Sequence, residues 1–113
     1  MIFVLDDDLD RVQWFRQAFG SGNVVHSMTV ADALEKLAGQ EFERVYLDYN
    51  ISHPRQNGGD VAWAMYEGRM CQGTPVTIHS DDHFGQRTMK RILSKYHPDV
   101  TVMEFKQLKR KTP

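Results

Sequence analysis

The chain has a single cysteine, Cys71, among 113 residues, so no disulfide can close within it and a reducing, cytoplasmic setting is expected. Net charge is nearly absent: 14 Lys and Arg stand against 15 Asp and Glu, leaving −1 with histidine neutral. That balance gives no reason to expect bulk attraction to duplex nucleic acid or to a membrane surface. No apolar run approaches the roughly 20 residues of a bilayer-spanning helix, and the opening residues read as a strand rather than a signal peptide. Internal repeats, linker-like stretches and a second domain are missing too. What remains is 41% hydrophobic and 26% charged, an ordinary composition for one domain with a two- or three-layer core. The one lopsided stretch is KQLKRKTP. Its Lys106, Lys109, Arg110 and Lys111 make 106–113 a basic tail behind a single domain of residues 1–105, read as a solvated end rather than a binding arm.

The apolar pattern alternates between two periods. MIFVL (1–5) is a short continuous apolar run, as expected of a strand covered on both faces. In LDRVQWFRQAF (9–19), Val12, Phe15, Ala18 and Phe19 share a helical face, and Gly20 stops the helix. NVVHS (23–27) is a second short strand, and Thr29 is placed to cap a helix carrying Ala33, Leu34, Leu37 and Ala38. RVYLDYN (44–50) is a third strand, followed by the turn-rich loop ISHPRQNGG (51–59) and a helix over 60–70. PVTIH (75–79), a helix over 84–96 and VTVMEF (100–105) complete the series. Strand–helix alternation favours a parallel sheet with helices on both faces and right-handed crossovers. Trp14, Trp63, Met65, Met89 and Met103 fall where such faces need packing and are expected in the core. Only the basic tail follows Phe105, so the last helix is expected to be short or absent. A thinly covered sheet face makes a homodimer contact an expectation.

Open parallel sheets bind ligands at the carboxyl ends of their strands. Strand one ends in Asp6-Asp7-Asp8, strand three in Asp48 with Asn50 two residues on, and strand four in His79-Ser80 followed by Asp81-Asp82. Carboxylates gathered at one edge repel unless a cation or a proton offsets them. An oxygen-rich set of this kind suits a hard divalent ion, Mg²⁺ or Mn²⁺. The plainer reading of the acid triplet is helix capping, which accounts for one residue; Asp8 fits that role, leaving Asp6, Asp7 and Asp48 as the metal ligands.

These residues, in this order, resemble the receiver domain of two-component response regulators. The resemblance covers the chain short of its last helix. It implies an α/β, flavodoxin-like sheet of five parallel strands in the order 2-1-3-4-5. It also implies Mg²⁺ on Asp6 and Asp7, phosphorylation of Asp48, and a hydroxyl at Ser80 that reports the phosphate. The chain departs from receivers at strand five, where their terminal lysine and proline are replaced by VTVMEFKQL with only a late Lys106. It departs again at strand four, where His79 stands in a normally apolar place. No output domain follows in these residues, so a switch is expected to act through a separate partner. The initial DDD, LDYN, the GGD helix start and His79-Ser80 with Gly85 and Met89 are more similar to the cyclic-phosphate-processing receiver domains. That group usually carries LDxDL where Asn50 stands here, and asparagine–proline where Asp82-His83 stand.

The second resemblance implies processing, by hydrolysis or binding, of a cyclic nucleotide or of RNA ending in a cyclic phosphate. His79, Asp48 and Ser80 are the expected catalytic residues, His79 transferring a proton. Its plain alternative is a strand histidine bonded to backbone. Ser80, Gly85, Arg55 and Arg87 are the expected phosphate contacts, because the helix after strand four presents its N-terminus and the loop after strand three overhangs the edge. For each there is a plain alternative: Ser80 capping a helix, Gly85 permitting a turn, the arginines solvated. His53, beside Arg55, is placed to touch phosphate and His83 to reach the cleft, with a solvated loop residue the plain alternative for both; His26 and His97 carry no assigned role. Two other functions stay open, a stand-alone receiver phosphorylated on Asp48, and a catalytically silent adaptor or inhibitor that binds a protein partner.

Overall fold

The computed structural model describes residues 1–112. Along the chain run β1 (Ile2–Leu5), α1 (Leu9–Phe19), β2 (Val24–Ser27), α2 (Val30–Gly39), β3 (Arg44–Leu47), α3 (Gly58–Gly68), β4 (Val76–Ile78), α4 (His83–Leu93), β5 (Val100–Val102) and α5 (Phe105–Lys111). All strand pairs are parallel and the sheet order is β2-β1-β3-β4-β5, as the resemblance implies. Strand order reverses between β1 and β3, which fixes the binding edge beside the residues following those strands.

Strand alternation sorts the core into two layers. Phe3, Leu5, Val45, Leu47 and Ile78 face one side, where they pack with Ala33 and Leu37 of α2, Val61 and Met65 of α3, and Met89 and Leu93 of α4. Ile2, Val4 and Tyr46 face the other side, covered by Phe15 of α1 and Leu108 of α5. Side chains buried on both faces explain why the strands read as continuous apolar runs.

Local chemistry sets the helix starts. Asp8 accepts from the N–H groups of Asp10 (2.9 Å) and Arg11 (3.3 Å), confirming it as the cap of α1. Thr29 caps α2, Asn57 and Asp60 form a capping box on α3, and Asp82 caps α4. The last helix takes the short alternative: α5 has seven residues and anchors through buried Leu108 while its basic side chains stay in solvent. Trp63 departs from expectation. It lies on the outer face of α3, 47% exposed, with the Lys95 ammonium over its ring rather than core around it. Among the described residues no helix is long and apolar enough to cross a membrane.

Gly58 opens α3 directly beneath the end of β3. A Cβ there would lie 1.9 Å from the Asp48 carbonyl oxygen, so only glycine lets the helix start this close to the aspartate. Gly58→Ala is therefore expected to destabilise the fold by about 1–3 kcal/mol, the usual range for forced overpacking. Gly39→Ala, which meets nothing within 4 Å, should leave urea unfolding nearly unchanged.

Candidate metal and phosphate site

One rung beyond the strand ends, the chain turns polar. Leu5 pairs with Leu47 and Leu47 with Ile78, so Asp6, Asp48 and His79 occupy the next rung side by side. Their backbones continue the ladder, Asp48 N–H donating to the Leu5 carbonyl and His79 N–H to the Leu47 carbonyl, each at 3.0 Å. By the same alternation their side chains turn to the α1–α5 side of the sheet.

Asp6 is wholly buried and held from three directions. His79 Nε2–H donates to Oδ2 at 2.8 Å, the Asp8 N–H donates to Oδ1 at 2.9 Å, and His26 Nε2–H donates to the main-chain carbonyl at 2.7 Å. Asp48 is 5% exposed and accepts the Tyr49 N–H on Oδ1 at 2.8 Å. Ligand oxygens of Asp6, Asp7 and Asp48 all lie within 4.8 Å of one another, so the structure brings together the three acids expected to hold a metal. This donor set fits a hard, oxygen-seeking divalent cation. Burial drives the Asp48 pKa up to about 6, with the nearby Asp6 charge adding to the rise and His79 and Arg11 opposing it.

The cleft outside these acids measures about 420 Å³ and includes Asp7, Arg11, Asp48, Ser80, Asp81 and Asp82 in its lining. Ser80 is among the residues lining this cleft. Its Oγ accepts the Asp82 N–H at 3.1 Å, which leaves the hydroxyl proton free to donate into the cleft.

His79 has a different place from the one expected of a proton-transfer group at the substrate. It has no solvent exposure, and its ring lies 5.3 Å from that of Phe15 and 6.3 Å from that of Phe105. Nδ1 has no hydrogen-bond partner among the described residues, so the imidazole makes one polar contact, to Asp6. It braces the Asp6 carboxylate from behind and is not among the residues lining the cleft.

Gly85 is likewise not a phosphate contact. Its N–H donates to Asp82 Oδ1 at 2.9 Å, which holds the Asp82 carboxyl below its ordinary pKa, and the first turn of α4 is thereby capped from within. A Cβ at Gly85 would fall 2.2 Å from Tyr49 Cγ, so the glycine serves helix–loop packing. Arg55 and Arg87 are both exposed and neither is among the lining residues. Asn50 bonds Asp82 at 3.3 Å across the cleft mouth.

The residue the sequence does not point to is Arg11. Its guanidinium lies 3.6 Å from Asp48, 3.9 Å from Asp6, 3.5 Å from Asp8 and 4.0 Å from Asp81. A signal for it does exist. Arg11 sits in the first turn of α1, where the helix dipole favours acids and disfavours a cation.

Residues 1–95 match the family model described as the cyclic-phosphate processing Receiver domain. The chain belongs to this family. A comparison with curated proteins finds no match. Among solved structures, the receiver domain protein (CheY-like) of Methanospirillum hungatei JF-1 is similar at 15% identity and TM-score 0.71, over 97% of this chain and 87% of that one. The response regulator TrrA of Thermotoga maritima, in complex with Mg²⁺ and BeF, is similar at 16% identity and TM-score 0.70, over 97% and 93%. The phosphorylated cyanobacterial phytochrome response regulator RcpA shows 16% identity and TM-score 0.70, over 96% and 85%. At these identities the likeness establishes the receiver fold.

Because Asp48 is driven up from 3.8 to about 6, folding takes up a proton that the unfolded chain has released, and stability falls as pH rises through that window. In chelator, Asp48→Asn should therefore stabilise this receiver at pH 7 by about 2–3 kcal/mol, since one pKa unit is worth 1.36 kcal/mol. The gain should vanish at pH 4. Urea unfolding across pH 4–7.5 measures it, and equal gains at both ends of that range would show that burial of the Asp48 charge is not their source.

Proposed function

We propose that this receiver hydrolyses a cyclic phosphate on a nucleotide or an RNA end, using a divalent metal held by Asp6, Asp7 and Asp48. The observation that carries the reading is the buried Asp6–His79 pair at 2.8 Å, because it stiffens a metal ligand at the place where receivers keep an apolar residue. Strand five adds support. Ile78 pairs with Val102, so Met103 takes the next rung beside His79, and no cation comes from that strand to meet a phosphorylated aspartate. Lys106 is 70% exposed and its ammonium stands 3.9 Å from Glu104.

A bound Mg²⁺ or Mn²⁺ would polarise the phosphate and lower the pKa of a water beside it. The chain supplies the rest. Asp6 is locked in one rotamer by His79 and the Asp8 N–H, so its oxygens keep one orientation as ligands come and go. Ser80 donates its hydroxyl proton to a phosphate oxygen, and Asn50 and Asp82 border the entrance. Water adds to phosphorus, the P–O bond that closes the ring breaks, and the proton lost by the water ends on the departing alkoxide. The product is a phosphomonoester.

A second reading follows from the placement of Asp48, which ends β3 at the cleft as in a phosphoacceptor receiver. Turnover of 2′,3′-cyclic, 3′,5′-cyclic and cyclic-dinucleotide phosphates with Mg²⁺ or Mn²⁺ separates the two. The expected outcome is hydrolysis of one class, lost in chelator and in Asp7→Asn. If every class stays intact while a small phosphodonor labels Asp48, the phosphoacceptor reading replaces hydrolysis.

His79→Ala should weaken Mn²⁺ binding by about 10–100-fold, the usual cost of losing a group that orients a metal ligand. Calorimetry on the folded variant checks this without any turnover. Unchanged affinity would remove His79 from the site.

A further inference from the structure

We propose that Arg11 is the phosphate-binding cation of this cleft, a neutraliser of the carboxylates before metal binds and a donor to phosphate oxygens afterwards. The inference rests on reading the cleft as a metal and phosphate site, and it assigns the positive charge that an anionic phosphate needs there.

The first observation is how loosely Arg11 is held. Four carboxylates surround it at 3.5–4.0 Å, yet among the described residues its side chain makes no hydrogen bond. A structural Arg–carboxylate pair closes to about 2.7–2.9 Å and is commonly bidentate. Arg11 is held by summed charge, with its five N–H donors uncommitted. The Phe105 ring backs the guanidinium at 5.5 Å and keeps it turned toward the acids, and a quarter of the side chain remains in solvent.

The second observation is charge. Arg11 is the one cation among the residues lining the cleft, against Asp7, Asp8, Asp48, Asp81 and Asp82. Phosphate cannot enter such a lining unless positive charge outweighs it. A divalent ion would engage oxygens of Asp6 and Asp48, which are the same carboxylates that now hold the Arg11 Nη1. Metal and Arg11 therefore compete for those oxygens, and metal binding frees the guanidinium for the next anion within reach. The planar fork of arginine matches two phosphate oxygens at once.

The third observation is local cost. A cation in the first turn of α1 opposes the helix dipole. A residue that breaks a local rule while lining a cleft marks a functional demand there.

Titrations of Mg²⁺ alone, and of orthophosphate at saturating Mg²⁺, on wild type, Arg11→Gln and Arg11→Lys test the proposal. Thermal melting establishes that each variant is folded. Arg11→Gln should bind Mg²⁺ at least as tightly as wild type and orthophosphate about tenfold more weakly or worse, as for a lost charge-assisted pair. Arg11→Lys should recover part of the phosphate affinity. Equal orthophosphate affinity in wild type and Arg11→Gln would overturn the assignment, as would loss of Mg²⁺ binding in Arg11→Gln or no orthophosphate binding by wild type. None of these readouts needs turnover. A wild type that binds Mg²⁺ and orthophosphate but opens no cyclic phosphate would overturn the hydrolytic reading and leave Arg11 in place.

Discussion

Like charges held close together in a place with little water are the constraint on which the structure of this edge depends. Asp6, Asp7 and Asp48 bring ligand oxygens within 4.8 Å of one another, and Asp6 and Asp48 are buried. In water such a cluster would disperse; at the end of a sheet it cannot, because the rung geometry sets the spacing. The surroundings answer with three separate devices. His79 donates to Asp6, Arg11 lends charge to four carboxylates, and burial raises Asp48 to about pKa 6.

The fold supports those devices from behind. His79 lies against Phe15 and Phe105, and Arg11 lies over Phe105, so α1 and α5 together hold both side chains that partner the acids. The shortness of α5 matters less than where it begins: Phe105 serves the site and Leu108 serves the core. On the opposite side, Gly58 and Gly85 let α3 and α4 come within backbone or ring contact of the segment after β3. That segment carries Asp48, Tyr49 and Asn50, so close packing of two helices fixes the middle of the cleft.

Against an ordinary receiver, the rearrangement is a transfer of positive charge from one wall to another. Strand five offers Met103 where a cation is usual, and α1 supplies Arg11 in its place. Strand four adds an imidazole that makes the strand-one ligand rigid. On the proposed reading, the cation on α1 and the Asp6 carboxylate braced by His79 serve to grip a diffusible phosphate.

The sequence by itself determined the sheet, its parallel order through the family resemblance, and the convergence of Asp6, Asp7, Asp48 and Ser80. Short continuous apolar runs, glycine stops and capping residues are local signals, and parallel topology sends every strand end to one edge. Tertiary structure alone decided what stands behind those acids and what stands in front. His79 was visible as a strand-end histidine, but its burial against Phe15 and Phe105 depends on which face the rung presents and on α5 covering it. Gly85 looked like a phosphate contact until Tyr49, 36 residues earlier, was seen to fill the space beside it. Arg11 gave only the local anomaly of a cation at a positive helix end. Its meaning came from carboxylates at positions 48 and 81, which pairing along the chain cannot bring near. Periodicity and capping act between neighbours in sequence, whereas the charge balance of a cleft is a sum over elements that only the packed fold assembles.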